Sequence, residues 1–181
     1  METRPGPDAS SERDLTLRDG RTVRLRAVSP ADEGEFLQAF ERLSDEARYM
    51  RFMRVIHAPD RNRLHAVLAS FPEAGIGLVA TVPADDGLDI VGSAIAVFDA
   101  DRVSCEFAIT VASGYGGVGL ATALMNALID EARRRGLKEM EGFVLSQNQS
   151  MLALAKRLGF RIAYEPGDAS VRVCWLTLNP S

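Results

Sequence analysis

The chain has 181 residues, of which 46% are apolar and 25% charged, so it suits one globular domain with its own hydrophobic core. Its net charge of -4 leaves no basic excess to neutralise phosphates, which excludes broad electrostatic binding to nucleic acid. No apolar run reaches membrane-spanning length, and the polar N-terminus lacks the apolar stretch of a signal peptide. The sequence therefore predicts a cytoplasmic protein with a disordered arm at 1–13 and a single domain at 14–181.

The first half of the domain predicts a hairpin followed by three helices. Alternating apolar residues flank Asp19-Gly20, a dipeptide typical of tight turns between antiparallel strands. Each helix then follows a residue whose side chain can accept hydrogen bonds from the first free amides of a helix. The hairpin strands lie at 15–17 and 22–27, and the three helices begin near Ser29, Ser44 and Asp60.

The second half predicts an antiparallel meander followed by a parallel crossover. Short turns separate three apolar strands, which makes them antiparallel neighbours, whereas the next strand–helix–strand sequence implies a parallel pair. The predicted fold class is α/β, with a mixed sheet of the α+β type that is flanked by helices. The strands are at 77–82, 89–98, 104–111, 139–145, 161–165 and 171–178, and the two helices are at 118–135 and 150–158.

The two cysteines, Cys105 and Cys174, lie inside apolar strand-like runs. Neither has a Cys or His nearby at the spacing of a metal site, so both are interpreted as buried structural residues and no metal is expected. A reactive thiol or a disulfide is the alternative interpretation.

A glycine-rich turn joins the last strand of the meander to the long helix, with four glycines among the six residues from Gly114 to Gly119. Free amides at a helix start, exposed by glycine, are typical of an anion site. A P-loop is excluded, because Leu120 and Ala121 stand where Lys and Ser/Thr are required. A dinucleotide fingerprint matches in its glycines alone, since the acid expected after the next strand is absent. A turn without a ligand is the remaining alternative.

A second element, "NQSMLALAKRLGF" at 148–160, follows the parallel strand and completes a recognisable order. Strand, glycine turn, helix, strand, Asn and helix together resemble the GNAT superfamily, which moves an acetyl group from acetyl-CoA to an amine. Its signature, Gln/Arg-x-x-Gly-x-Gly/Ala, falls on 116–121. Gly116 replaces the usual Gln or Arg, and Val118 stands where a basic residue is frequent.

Three stretches are similar to the bacterial protein lysine acetyltransferases of the Pat type. They are "LSDEARYMRF", "CEFAITV" and "NQSMLALAKRLGF", and the resemblance spans 17–160. It implies a GNAT fold, with a mostly antiparallel sheet in which one parallel strand pair splays apart. It also implies direct attack of an amine on acetyl-CoA in a ternary complex. The tyrosine that many members use as general acid is replaced by Ala155.

Glu106 matches the catalytic glutamate of this group, which implies a general base for the protonated amine. A carboxylate inside the apolar run "VSCEFAITV" agrees with that role if water is scarce around it. By strand alternation, Glu106, Ala108 and Thr110 share the face opposite Cys105, Phe107 and Ile109. The alternative is that this face is simply exposed to solvent.

The resemblance also implies where both substrates bind. Asn148 is expected to contact the pantetheine arm, and its alternative or additional role is a helix N-cap. The predicted cofactor-binding residues are Ile109, Thr110 and Val111 for pantetheine, Gly117, Val118, Gly119, Ala121 and Thr122 for the pyrophosphate, and Asn148. The predicted acceptor groove contains Tyr49, Arg51 and Phe52, with a core position as the alternative for the two aromatic residues.

The sequence therefore predicts an N-acetyltransferase that uses acetyl-CoA and a protein lysine, such as one on an acyl-CoA synthetase. A small-molecule amine is the nearest alternative acceptor. A non-catalytic acyl-CoA-binding module is the alternative of a different class, which the retained Glu106 disfavours. The expected partners exclude nucleic acid and membrane, and the expected state is a monomer or homodimer.

Overall fold

The computed structural model describes residues 12–180. The predicted disordered arm at 1–13 lies outside the described residues, except for Glu12 and Arg13, and Arg13 already begins the first strand. Thirteen helices and strands follow, joined in part by a 3₁₀ turn at Pro30–Asp32. They are β1 (Arg13–Thr16), β2 (Thr22–Ala27), α1 (Glu33–Arg42), α2 (Asp45–Phe52), α3 (Arg61–Ser70), β3 (Gly75–Ala84), β4 (Gly87–Phe98), β5 (Ser104–Val111), α4 (Leu120–Arg134), β6 (Glu139–Leu145), α5 (Gln149–Arg157), β7 (Arg161–Glu165) and β8 (Asp168–Thr177).

The described strands form one 8-stranded sheet in the order β1-β2-β3-β4-β5-β6-β8-β7. Every neighbouring pair is antiparallel except β5 and β6, which are parallel. The mixed sheet with a single parallel pair is therefore confirmed. None of the described helices is long and apolar enough to cross a bilayer.

The parallel pair of β5 and β6 is short. Their residues pair only over Ser104–Glu106 and Glu139–Glu141, although both strands continue beyond this point. Immediately after the last pair, the Phe107 ring lies against Gly142, where a Cβ atom would come within 2.4 Å of that ring. Because β6 pairs only with β8 from Gly142 onward, the second half of β5 has no described strand on its β6 side.

Helix α4 packs on the core face of the sheet. Its apolar stripe includes Leu120, Leu124 and Leu128, which are fully buried in one cluster with Cys105 and Phe107 of β5. The predicted helix began at 118, but the observed helix begins at Leu120, because the preceding Gly119 has a left-handed φ of 92°.

The remaining face of the sheet is covered by α1, α2 and α3. Helix α1 contacts β4, and α2 contacts β5 and β6. Each of α2 and α3 begins at its predicted cap, where Ser44 accepts from Ala47 N and Asp60 accepts from Arg63 N. These caps fix the short helices that form one wall of the candidate site.

Both cysteines are buried and free. Burial raises the pKa of the Cys105 thiol to about 12, with a further contribution from the negative charge of Asp99. Burial likewise raises the pKa of Cys174 to about 11. Neither thiol is therefore ionised near neutral pH, which agrees with the predicted structural role.

Candidate functional site

A groove of about 850 Å³ lies between the sheet and helices α1 to α3. The alternate residues Glu106, Ala108 and Thr110 of β5 all line it. Since Cys105 and Phe107 are buried in the core, β5 separates the core from the groove. Other lining residues come from the turn of chain between α2 and α3, which includes Val55, Ile56 and His57.

Glu106 lies on the groove side of β5 with its side chain exposed. No described residue forms an ion pair or hydrogen bond with its carboxylate, which is therefore free to accept a proton from a ligand. The condition of scarce water around Glu106 is not met, because its exposed side chain faces the open groove. This position leaves the carboxylate exposed at the wall of the groove.

A second carboxylate, not singled out from the sequence, lies beside Glu106. Glu141 is its parallel-ladder partner on β6, and paired residues of neighbouring strands project to the same face. Burial raises the pKa of the Glu141 carboxyl, and the negative charges of Asp99 and Glu106 raise it further. The last paired position of the two strands thus places two carboxylates side by side, and either of them could accept a proton there.

The helix α2 supplies two of the three residues predicted for the acceptor groove. Arg51 and Phe52 line it, but Tyr49 does not, and 37% of Tyr49 remains exposed. Arg51 Nε donates to Thr110 Oγ1 at 3.1 Å, which ties α2 to β5. Burial lowers the pKa of Arg51 to about 10, aided by the positive charge of Arg63 and opposed by Glu106.

The edge of β5 offers backbone groups to an extended ligand. Ala112 N donates to Val91 O on the β4 side, so by alternation the N–H and C=O groups of Ile109 and Val111 point away from β4. On that side β6 has ceased to pair. Thr110 faces the other way, its backbone toward β4 and its side chain toward Arg51.

The glycine-rich turn and the start of α4 present free amides beyond the end of β5. Gly117 and Gly119 adopt left-handed φ angles of 71° and 92°. The cap residue Gly119 has no side chain, and the first helical hydrogen bond runs from Ala123 N to Gly119 O. The amides of Leu120, Ala121 and Thr122 precede that bond, so they have no partner within the helix.

Gly116 has no structural reason to be glycine. Its φ is not left-handed, and a Cβ atom added there would meet nothing within 4 Å. The Gln or Arg of the GNAT signature would therefore fit at this position, and nothing in the structure explains the substitution.

Two arginines of the β1–β2 turn lie against the same glycine-rich turn, a contact that no local sequence pattern indicates. Arg18 N donates to Val118 O at 3.1 Å, and Arg18 Nε lies 3.5 Å from the position of a Cβ on Gly119. Arg21 donates to Gly114 O at 2.6 Å and is paired with Asp19. Among residues 12–180, the Arg18 guanidinium has no ion-pair or hydrogen-bond partner, unlike that of Arg21.

Asn148 caps α5, which is one of the two roles predicted for it. Its Oδ1 accepts from Met151 N at 3.3 Å. Within the described part of the chain, nothing accepts from Asn148 Nδ2. Ala155 of the same helix is fully buried, and its methyl side chain has no proton to donate. Phe160 is buried, with its ring centroid 5.2 Å from that of Phe107.

Comparison with known families gives a match over most of the chain. A family model described as "Acetyltransferase (GNAT) domain" matches residues 22–161. An acetyltransferase of Pseudomonas aeruginosa is 32% identical over 155 residues, which are 86% of this chain and 83% of that protein. The L-amino acid N-acyltransferase MnaT of Escherichia coli is 41% identical over 83 residues, covering 45% of this chain and 48% of its own length.

Among solved structures, the GNAT domain of S. lividans PAT superposes with a TM-score of 0.83. The match covers 94% of this chain and 98% of that domain, at 24% sequence identity. At this identity the likeness shows a common fold.

Proposed function

The chain belongs to the GNAT acetyltransferase family, and from this premise we propose that it acetylates an amine with Glu106 as general base. As in other GNAT acetyltransferases, the acetyl donor is acetyl-CoA. The observation that carries the proposal is the position of Glu106, on the groove side of β5 and one strand-length before the free amides of the glycine-rich turn.

The proposed reaction is direct transfer in a ternary complex. A primary amine is protonated near neutral pH and cannot attack until it loses a proton, which Glu106 accepts directly or through one water. The amine nitrogen then bonds to the acetyl carbon as the bond from that carbon to the CoA sulfur breaks, and the nitrogen releases its second proton to solvent to give the amide. The departing thiolate takes a proton from solvent, because Ala155 stands where many members of the family have a tyrosine acid.

Residues near the point where β5 and β6 cease to pair are proposed to hold acetyl-CoA. The free backbone groups of Ile109 and Val111 suit pairing with the amides of the pantetheine arm, with Thr110 between them. Gly117, Val118, Gly119, Ala121 and Thr122 suit the pyrophosphate, because free helix amides and the helix dipole favour negative charge. Asn148 Nδ2 remains available as a donor while Oδ1 caps α5.

Two classes of amine are candidates for the acetyl acceptor. The Pat-type resemblance implies a lysine side chain on a protein such as an acyl-CoA synthetase. The name of the MnaT relative, an L-amino acid N-acyltransferase, supports a small amine instead, over the 83 residues that align. An amine acceptor is common to both candidates.

Acetyl transfer is tested by incubating the protein with acetyl-CoA and a panel of amines. The panel contains free amino acids, polyamines and a lysine-bearing peptide, and the release of free CoA thiol is followed with time. We expect amine-dependent release and an acetylated product of matching mass. Binding of acetyl-CoA without turnover on any amine would favour an acyl-CoA-binding module and overturn the proposal.

Arg18 is proposed to supply the cationic contact that Gly116 and Val118 cannot. Arg18→Ala is expected to weaken acetyl-CoA binding by roughly 5- to 10-fold, because an exposed charged contact to a phosphate is lost. Calorimetric titration at two salt concentrations measures this, and the variant should also show a weaker salt dependence. Arg13→Ala, at the far end of the hairpin, is the matched control. Unchanged affinity in Arg18→Ala would contradict the assignment.

A further inference from the structure

Charged residues of both signs line the groove. Glu106 lies on β5, whereas Arg51 projects from α2 and Arg63 from α3, and all three line the same cavity. No ion pair within 4.0 Å joins either arginine to a carboxylate among residues 12–180. The carboxylate of Asp60 also lines the groove, but its Oδ1 caps α3 by accepting from Arg63 N.

Arg51 retains unused donors toward the groove. Only its Nε is engaged, with Thr110 Oγ1, and its guanidinium carbon lies 4.7 Å from the centre of the Phe52 ring. Within the described residues, no acceptor is bound by the two terminal nitrogens. These contacts restrain the guanidinium plane, and such a plane matches a carboxylate through two parallel hydrogen bonds.

The electrostatic field in the groove favours an added anion. Arg51 is partly buried and its positive charge is disfavoured, first by burial and then by the like charge of Arg63. The negative charge of Glu106 only partly offsets this lowering of the Arg51 pKa, since the two side chains make no direct contact. A carboxylate placed between the two arginines would relieve their repulsion and replace the water lost by Arg51.

We infer that the acceptor carries a free carboxylate close to its amine, as an α-amino acid does, with Arg51 and Arg63 binding the carboxylate. This inference rests on the proposed function, because it takes Glu106 to face the amine of the same molecule. The opposite charges of a zwitterion then match the opposite charges of the groove. A lysine within a protein has an amide in place of the α-carboxylate and gains nothing from this pair of arginines.

The inference is tested by comparing free L-amino acids with the same amino acids as carboxamides, and with a lysine-bearing peptide. We expect kcat/KM to be about 10- to 100-fold higher for the free acids, as for a charged hydrogen-bonded pair. Arg51→Gln should raise KM for the acids and bring the acid-to-amide ratio close to one, with acetyl-CoA affinity unchanged. Arg51→Lys should retain part of the preference.

Arg61→Gln serves as the matched control, because Arg61 lies two residues before Arg63 on α3 but does not line the groove. Equal turnover of acids and amides by the wild-type protein, or faster turnover of the peptide, would overturn the inference and leave the proposed acetyl transfer standing. Turnover of no amine at all would overturn both. The wild-type ratio decides the question even if an Arg51 variant fails to fold.

Discussion

Replacing Glu106 with glutamine is expected to lower kcat by about 100- to 10,000-fold, the range for loss of a positioned general base. Glutamine keeps the shape and hydrogen-bonding reach of the side chain but cannot take a proton at neutral pH. Because Glu106 lies on the groove face and not among the amides of the glycine-rich turn, the affinity for acetyl-CoA should change little. Release of CoA thiol measures kcat, and calorimetry measures binding.

The neighbouring acid provides the control for this prediction. Glu141 is the ladder partner of Glu106 and has a raised pKa, so it is the other carboxylate able to accept a proton there. Glu141→Gln should reduce kcat much less than Glu106→Gln does. If the two results were reversed, the base would be Glu141. Glu139 is exposed on the same strand as Glu141, and Glu139→Gln should leave kcat unchanged.

The strands that carry the site were predictable because their patterns are local. The bounds of β5 and β6 agree with the prediction, since alternating apolar residues and short turns define them. The proposed role of Glu106 needs a groove on its side of β5, and alternation alone cannot tell a groove from bulk solvent. The groove exists because α2 packs near β5, joined to it by the hydrogen bond from Arg51 to Thr110.

The residues that the sequence analysis missed are brought to the site by contacts between distant segments. Arg18 lies about a hundred positions before Gly119, and only the pairing of the β1–β2 turn with the glycine-rich turn brings them together. Arg63 belongs to the exposed first turn of α3, where an arginine is unremarkable by pattern. Tyr49 is the opposite case, a residue that was predicted at the groove but does not line it. Its spacing from Phe52 predicts a shared helix face, yet only Phe52 of the two lines the groove.

Asp32→Asn is expected to destabilise the fold by about 3 kcal/mol, because it breaks a buried ion pair and leaves one charge uncompensated. Asp32 is only 5% exposed and accepts from both terminal nitrogens of Arg26 at 2.8 Å. It also accepts from Ser29 N at 2.8 Å, which closes the turn that leads into α1. Thermal unfolding should show a melting temperature lower by roughly 6–12 °C for a chain of this size.

The same pair predicts how stability depends on pH. Burial alone would raise the pKa of Asp32, but hydrogen bonds from Arg26 and Ser29 outweigh it, and the folded-state pKa is lowered. Its stabilisation is therefore complete above the unfolded value near 4 and is lost as pH falls through the folded pKa. The difference between wild type and Asp32→Asn should shrink over that acid range. Asp14→Asn breaks the exposed pair with Arg24 and should destabilise the fold far less than Asp32→Asn does, because solvent screens that pair. Equal losses in the two variants would show that the Arg26–Asp32 pair does not anchor α1, and with it the helical wall of the groove.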